Sequence, residues 1–264
     1  MRKIRSWQPA ASPRRGRCLA LALALSVVPA STFLAEDAAR PGSGPAAAAE
    51  QRSVADDPLP RAADPEREGE LPRLANALAA AGAQAYARGE WDKAREAFAE
   101  LIEIEPDNAL AHANMGALRH RSGDSGGALE SLQRAVALNP RLARVWMSMG
   151  LIHLERDELN LALSTLARAL HEDPLNAVGH NNMAILLTRL GWNIGAEQEL
   201  ERAIELAPEL ADAHFNLAVL RLERTPPSLD LARQNYQRAL ALGAPRDEEF
   251  EQRLEALGGA GAAP

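Results

Sequence analysis

Residues 143–176 read ARVWMSMGLIHLERDELNLALSTLARALHEDPLN, and the residue types in this stretch return along the chain with a period of 34 residues. Proline marks the period at Pro106, Pro140, Pro174 and Pro208. Two apolar positions keep a fixed distance from each proline: a small one at Ala94, Ala128, Ala162 and Ala196, and a large one at Phe98, Leu132, Leu166 and Leu200. A repeat of this length predicts a stack of small units, because one unit alone cannot bury its apolar face.

The repeat divides the chain into five units, and each unit predicts two helices. Apolar residues in the first half of a unit recur at positions 4, 7, 8 and 11, and Gly or Asp follows near position 15. The second half carries apolar residues at positions 20, 24, 27 and 28, the spacing of one face of an amphipathic helix. Proline at position 32 ends the second helix, since its ring cannot continue the helix. The units cover residues 75–108, 109–142, 143–176, 177–210 and 211–245.

The third unit shows the signature of a known helical repeat. It contains Trp146-x2-Met149-Gly150-x2-His153, then Ala162-x3-Leu166, then Pro174. This pattern resembles the tetratricopeptide repeat, whose signature is W-x2-L-G-x2-Y, then A-x3-F, then P. The resemblance covers roughly residues 75–245. It implies an all-α fold, a tetratricopeptide-repeat solenoid of five helix pairs that stack into a right-handed superhelix with a concave groove.

The fifth unit departs from the pattern and is followed by a further helical segment. Its turn, Arg224-Thr-Pro-Pro-Ser228, is about two residues longer than the others, an insertion that a surface turn tolerates. Residues 246–257 predict a charged C-terminal capping helix that covers the exposed end of the last unit. Residues 258–264 are predicted to form a tail.

The N-terminal segment, residues 1–35, has the composition of an export signal. Six basic residues precede an apolar run over residues 18–30, and no acidic residue occurs before position 36. This order predicts a secretory signal peptide cleaved after Ala30. An apolar stretch extended to residue 35 also reaches about the minimum needed to cross a bilayer, so a membrane anchor or tether through residues 18–35 stays open. Both alternatives predict an extracytoplasmic protein, either periplasmic or secreted, or anchored to the membrane by its N-terminus.

The segment between the leader and the repeats is predicted to be a disordered linker, and the body of the chain is acidic. Residues 36–70 are rich in Ala, Pro, Gly and charged residues and show no helical or strand period. The whole chain carries a formal charge of −7, and loss of the basic leader makes it more acidic. An acidic surface repels phosphate backbones, so we expect no nucleic-acid partner.

The first helix of each unit supplies a candidate peptide-binding groove. By resemblance to the family, positions 2, 5, 6, 9, 12 and 13 line the concave face. Position 6 holds Asn114, Ser148, Asn182 and Asn216 in units two to five, and position 9 holds Leu151, Ile185 and Val219 in units three to five. A carboxamide both donates to and accepts from a peptide backbone, and adjacent apolar residues suit an extended peptide.

The asparagines resemble the asparagine ladder in the repeats of O-linked N-acetylglucosamine transferase, where the ladder holds peptide backbones. The alternative is that asparagine at position 6 is a solvated residue with no binding role. Runs such as Ile185-Leu-Leu187 contain more apolar residues than we expect inter-helix packing to use, which favours a groove. Arg121 and Arg189 add positive charge along the predicted groove, or are simply solvated.

Motifs of catalysis and metal binding are absent from the sequence. It contains no G-x-G-x-x-G, P-loop, G-x-S-x-G, H-E-x-x-H or paired-cysteine motif, so we expect neither an enzyme nor a cofactor. His112, His180 and His214 share position 4, which Trp146 occupies in the third unit. Equivalent residues in stacked repeats lie roughly 10 Å or more apart, too far for a shared metal, so these histidines are expected to pack inside the units.

The sequence therefore predicts a non-catalytic protein-protein interaction module, exported to or tethered at the cell envelope, that binds a peptide segment of a partner in its concave groove. The alternative function is a structural or assembly scaffold that uses its convex face or its ends, including self-association. The oligomeric state and the partner's identity do not follow from the sequence.

Overall fold

The computed structural model describes residues 65–260, and this part of the chain consists of eleven α-helices with no strand. Ten of the helices form five pairs, and the eleventh follows the last pair. The all-α solenoid with a C-terminal helix is therefore confirmed. The helices are α1 (Pro65–Ala87), α2 (Trp91–Ile104), α3 (Ala109–Arg121), α4 (Ser125–Leu138), α5 (Ala143–Glu155), α6 (Leu159–Glu172), α7 (Ala177–Arg189), α8 (Asn193–Leu206), α9 (Ala211–Glu223), α10 (Leu229–Ala241) and α11 (Glu248–Ala260).

Small residues let the two helices of a unit approach each other closely. In the third unit, Ala162 and Leu166 of α6 are fully buried against α5. A Cβ added to Gly150 of α5 would lie 2.6 Å from Cγ and Cδ2 of Leu166. Glycine at this position therefore makes room for the large apolar residue at position 24.

A left-handed residue at position 15 reverses the chain between the helices of a pair in units one to four. The φ angles are 74° at Gly89, 86° at Gly123, 57° at Asp157 and 78° at Gly191. Glycine adopts this conformation without a Cβ clash, whereas Asp157 is a non-glycine residue in the same geometry. In the fifth unit five residues, 224–228, separate α9 from α10, which is the longer turn expected from the sequence.

The ring at position 4 ties each unit to the end of the preceding one. In four units the ring nitrogen lies 2.9–3.0 Å from the carbonyl oxygen of the proline six residues earlier, in the pairs His112–Pro106, Trp146–Pro140, His180–Pro174 and His214–Pro208. Because a carbonyl only accepts, Nε2 of each histidine donates, as the indole N–H of Trp146 does. Across the helices that the structure contains, no group of His, Cys, Asp or Glu is arranged to hold a metal.

Helices at both ends extend the stack. Phe250 and Leu254 of α11 are buried against Leu222 and Tyr236, so α11 covers the apolar end of the fifth unit. At the other end α1 begins at Pro65, inside the range 36–70 predicted to be a linker. Proline is well tolerated as the first residue of a helix, because its missing N–H has no partner there anyway.

The predicted leader and most of the predicted linker, residues 1–64, lie outside the described part of the chain, as do residues 261–264 of the predicted tail. Between Pro65 and Ala260, no helix combines the length and the apolar character required to span a bilayer.

Candidate peptide-binding groove

Two of the asparagines at position 6 contact the neighbouring unit. Nδ2 of Asn216 donates to Oδ1 of Asn181 at 2.9 Å, and Nδ2 of Asn182 lies 3.7 Å from Sδ of Met147. Both partners occupy position 5 of the preceding unit, 35 residues earlier. The position-6 side chain therefore reaches back between the first helices of adjacent units.

The two earlier units lack a polar partner at the corresponding place. The residue 35 positions before Asn114 is Ala79, and Asn114 is completely buried with no hydrogen bond to either side-chain amide atom. The residue 35 positions before Ser148 is Ala113, which also has no polar side chain. Oγ of Ser148 donates instead to the carbonyl oxygen of Arg144 in its own helix, 3.0 Å away. The interpretation of position 6 as a solvated site is wrong for Asn114 and Asn216, which are both buried.

Packing uses one of the three apolar residues that the sequence assigned to the groove at position 9, together with its two neighbours. Ile185, Leu186 and Leu187 are all buried, and Ile185 is only 4% exposed. The expectation of surplus apolar residues is therefore wrong for this run, because adjacent units cover α7 from several directions. Leu151 and Val219 are partly exposed and remain available at the surface of α5 and α9.

The two arginines predicted to line the groove make contacts within the stack. The guanidinium of Arg121 lies 3.8 Å from the centre of the Trp91 ring, a cation–π contact. Nη1 of Arg189 donates to the carbonyl oxygen of Leu154 at 2.8 Å, in the last turn of α5. The same carbonyl accepts from the backbone N–H of Asp157 at 3.2 Å, so Arg189 adds a second hydrogen bond that joins two units.

A groove does open between α7 and α9, the first helices of units four and five. The space that it encloses is small, about 20 Å³, and the rest of the opening is continuous with solvent. Three of the predicted groove residues come together there: Ile185, Asn216 and Val219. The remaining lining residues are Ala184, Thr188, Leu200, Phe215, Leu220 and Glu223. We call this opening the α7–α9 groove.

Sequence reasoning missed Thr188, Phe215 and Glu223 as lining residues, although a signal for them existed. They occupy positions 12, 5 and 13, which the family resemblance assigned to the concave face alongside positions 6 and 9. The other predicted groove residues, which are Asn114, Ser148, Leu151, Asn182, Arg121 and Arg189, do not line the α7–α9 groove.

The chemistry of the α7–α9 groove suits an apolar side chain. Phe215 and Val219, which are partly exposed, supply apolar surface, and the hydroxyl of Thr188 already donates to the carbonyl of Ala184 at 2.9 Å. Glu223 is the only ionisable side chain in the lining, and it lies 3.4 Å from Arg253 of α11.

A second carboxylate, Asp212, lies on the groove-facing side of α9 one turn before Phe215. Residues three, four and seven positions apart share a helix face, so Asp212 continues the line of Phe215, Asn216 and Val219. Burial raises the pKa of the Asp212 carboxyl above its usual value, with no neighbouring cation to oppose the shift. Its side chain makes no ion pair or hydrogen bond with any residue in the described range.

Comparison with family models finds repeats over most of the helical region. A model described as TPR repeat matches residues 82–123, and a model described as tetratricopeptide repeat matches residues 115–177 and 186–247. Among curated proteins, none matches this chain.

Solved structures with the same fold include three repeat proteins. PilF of Pseudomonas aeruginosa is 19% identical, with a TM-score of 0.62 over 72% of this chain and 91% of that chain. MamA is 20% identical, with a TM-score of 0.56 over 65% of this chain and 92% of that chain. YrrB, described as a TPR protein with an unusual peptide-binding site, is 16% identical, with a TM-score of 0.56 over 73% of this chain and 97% of that chain. At these identities the likeness shows the fold alone.

Proposed function

Because the chain belongs to the tetratricopeptide repeat family, we propose that it is a non-catalytic interaction module that binds a peptide segment of a partner protein in the α7–α9 groove. Repeats of this family mediate protein and peptide interactions. The groove supports this proposal because it is an apolar cleft in a rigid stack of helices. An anchoring side chain of a peptide gains affinity by leaving water for such a cleft.

The experiment that tests the groove compares two lysines introduced at equivalent positions. Val219 and Leu151 both occupy position 9 and are both partly exposed, but only Val219 lines the groove. A photo-reactive amino acid at position 219 of the full chain first captures the partner in its own cells and maps the contacted segment. That segment, as a labelled peptide, is then titrated against Val219→Lys and Leu151→Lys.

We expect Val219→Lys to weaken peptide binding by about tenfold or more, since an apolar anchor would meet a charge. Leu151→Lys is expected to bind like the wild-type chain. Equal affinity of the two variants, or cross-links from position 219 that identify no peptide segment, would overturn the groove as the binding site.

A second candidate function, assembly through the outer side of the stack, is supported by exposed apolar residues where the second helices begin. Trp192 is 56% exposed and Ile194 79%, and Leu161 and Leu231 occupy similar places in the neighbouring units. Exposed apolar residues in consecutive units favour a contact with another protein surface or a second copy of the chain. Sedimentation of the double variant Trp192→Ser/Ile194→Ser tests this function. Self-association that is unchanged in the variant argues against this surface.

We also propose that the repeats act outside the cytoplasm, exported by residues 1–35 or held by them at the membrane. The support is the order of basic and apolar residues in the leader. An alkaline phosphatase fused after residue 64, just before α1, is expected to be active in cells. Deleting residues 18–30 should abolish that activity, and an inactive fusion with the intact leader contradicts export.

A further inference from the structure

We propose that the α7–α9 groove selects peptide segments in which a basic side chain lies close to the apolar anchor, with Asp212 as the counter-charge. This inference rests on the proposed function, since it names the chemistry of the ligand for the same groove. It depends on the position of Asp212 relative to the groove and on the absence of a cation beside it.

The position of Asp212 places its carboxylate at one end of the groove. An α-helix rises about 1.5 Å per residue, so Asp212 precedes Phe215 by roughly 4.5 Å and Val219 by roughly 10 Å along α9. An extended peptide advances about 3.3 Å per residue. A peptide lying along α9 with its apolar anchor in the groove thus brings a residue about one to three positions away opposite Asp212.

Three other carboxylates near α9 have cationic partners. Glu197 and Glu201 of α8 both pair with Arg221, and Glu223 pairs with Arg253. Asp212 is partly buried and has no such partner among the helices described. A carboxylate that has lost part of its hydration gains more from an incoming cation than a fully solvated one does.

The net charge of the chain favours the same class of ligand. The protein carries a formal charge of −7, so a basic peptide approaches it with electrostatic attraction. An acidic segment would be repelled by Asp212, whereas the charge of Glu223 is already paired with Arg253. The preferred ligand is therefore an apolar segment with a nearby lysine or arginine.

The test selects ligands without assuming a partner. A displayed library of random 12-residue peptides is selected on the full chain and counter-selected on Val219→Gln, which disrupts the apolar lining without adding a charge. We expect the enriched peptides to carry Lys or Arg within four positions of a Leu, Ile or Phe. Each enriched peptide is then compared with its Lys→Gln form by fluorescence anisotropy against the wild type, Asp212→Asn and Glu209→Gln.

The three proteins make a double-mutant cycle with a matched control. Replacing the peptide lysine should weaken binding to the wild type by roughly three- to tenfold, as expected for a partly desolvated ion pair, and have little effect with Asp212→Asn. Glu209 is exposed and lies three residues from Asp212, so Glu209→Gln removes a nearby charge and should behave like the wild type.

Two failures of this experiment are distinguishable. The role of Asp212 is wrong if peptides that require Val219 show no enrichment of basic residues. It is also wrong if the Lys→Gln change in the peptide weakens binding to Asp212→Asn as much as binding to the wild type. Either result leaves the groove as the binding site. If no enriched peptide requires Val219, the proposed binding site itself is wrong and the inference falls with it.

Discussion

The side-chain amide of Asn216 donates a 2.9 Å hydrogen bond to the side-chain oxygen of Asn181, and this buried bond joins α9 to α7. The same register, from position 6 of one unit to position 5 of the unit before, recurs through the stack. It is occupied by a good acceptor at Asn181, a weak sulfur acceptor at Met147 and no polar side chain at Ala79. Asparagine at one repeat position therefore has different energetic consequences in different units.

The substitution of leucine for asparagine is predicted to have opposite effects at Asn114 and Asn216. Asn114→Leu removes a buried amide without a partner, so the free energy of unfolding should rise by about 1 kcal/mol. Asn216→Leu removes the donor to Asn181 and leaves a buried acceptor unpaired, which should cost about 1–3 kcal/mol. Urea midpoints of the two variants and the wild type give the comparison.

A matching pair of variants checks the reason for this difference. Ala79→Asn introduces a hydrogen-bond acceptor 35 residues before Asn114, where Asn181 lies relative to Asn216. This substitution should stabilise a chain that keeps Asn114 and should not stabilise a chain that carries Asn114→Leu. Destabilisation of similar size by leucine at both asparagines would show that shape, not hydrogen bonding, decides their contribution.

The bond from position 4 to the proline carbonyl is predicted to stabilise each junction between units. His112→Phe keeps a flat ring but loses the donor to Pro106, so it should lower stability by about 0.5–1.5 kcal/mol. His112→Trp retains an N–H, as Trp146 does in the third unit, and should be at least as stable as the wild type. Thermal unfolding followed by circular dichroism distinguishes the two, and equal midpoints for Phe and Trp contradict a role for the hydrogen bond.

The left-handed residue at position 15 gives a prediction for the third turn. Asp157 has a φ of 57°, so Asp157→Gly should relieve backbone strain and stabilise the chain by about 0.5–1 kcal/mol. The reverse change, Gly191→Ala, should lower the free energy of unfolding by about 1–2 kcal/mol, because φ at Gly191 is 78°. A Cβ at this position meets no atom within 4 Å, so the cost comes from the backbone conformation alone. Urea unfolding of both variants measures the pair. A destabilised Asp157→Gly would show that the aspartate side chain matters more than its φ.

The raised pKa of Asp212 predicts how its contribution to stability changes with pH. Burial holds the folded-state pKa above the unfolded value, so the folded chain binds the proton more tightly. The stability that Asp212 contributes to the folded chain is then fully present below its pKa in the unfolded chain, and it is lost as the pH rises through its pKa in the folded chain. Asp212→Asn resembles the protonated acid at every pH, and its melting temperature should rise relative to the wild type between about pH 3 and pH 7. If the melting temperatures of Asp212→Asn and the wild type differ by the same amount at every pH in this range, the pKa of Asp212 is not raised.

The sequence predicted the helix pairs because their signals are local and repeated. The alanine at position 20 and the large apolar residue at position 24 share one helix face, as Ala162 and Leu166 do. Glycine at position 15 reverses the chain, as at Gly123. The candidate site was predicted less well: Ile185, Asn216 and Val219 meet in the groove, whereas Arg121 and Arg189 make inter-helix contacts.

The sequence by itself determined the repeat, the two helices of each unit and the unit that departs from the pattern, because hydrophobic period and turn residues act within one unit. Only the tertiary structure decided which side chains face an adjacent unit and which remain open. Asn114 and Asn216 share a repeat position, but the partner of each lies 35 residues away on another helix. The exposure of Val219, the burial of Ile185 and the unpaired carboxylate of Asp212 depend in the same way on how neighbouring units pack.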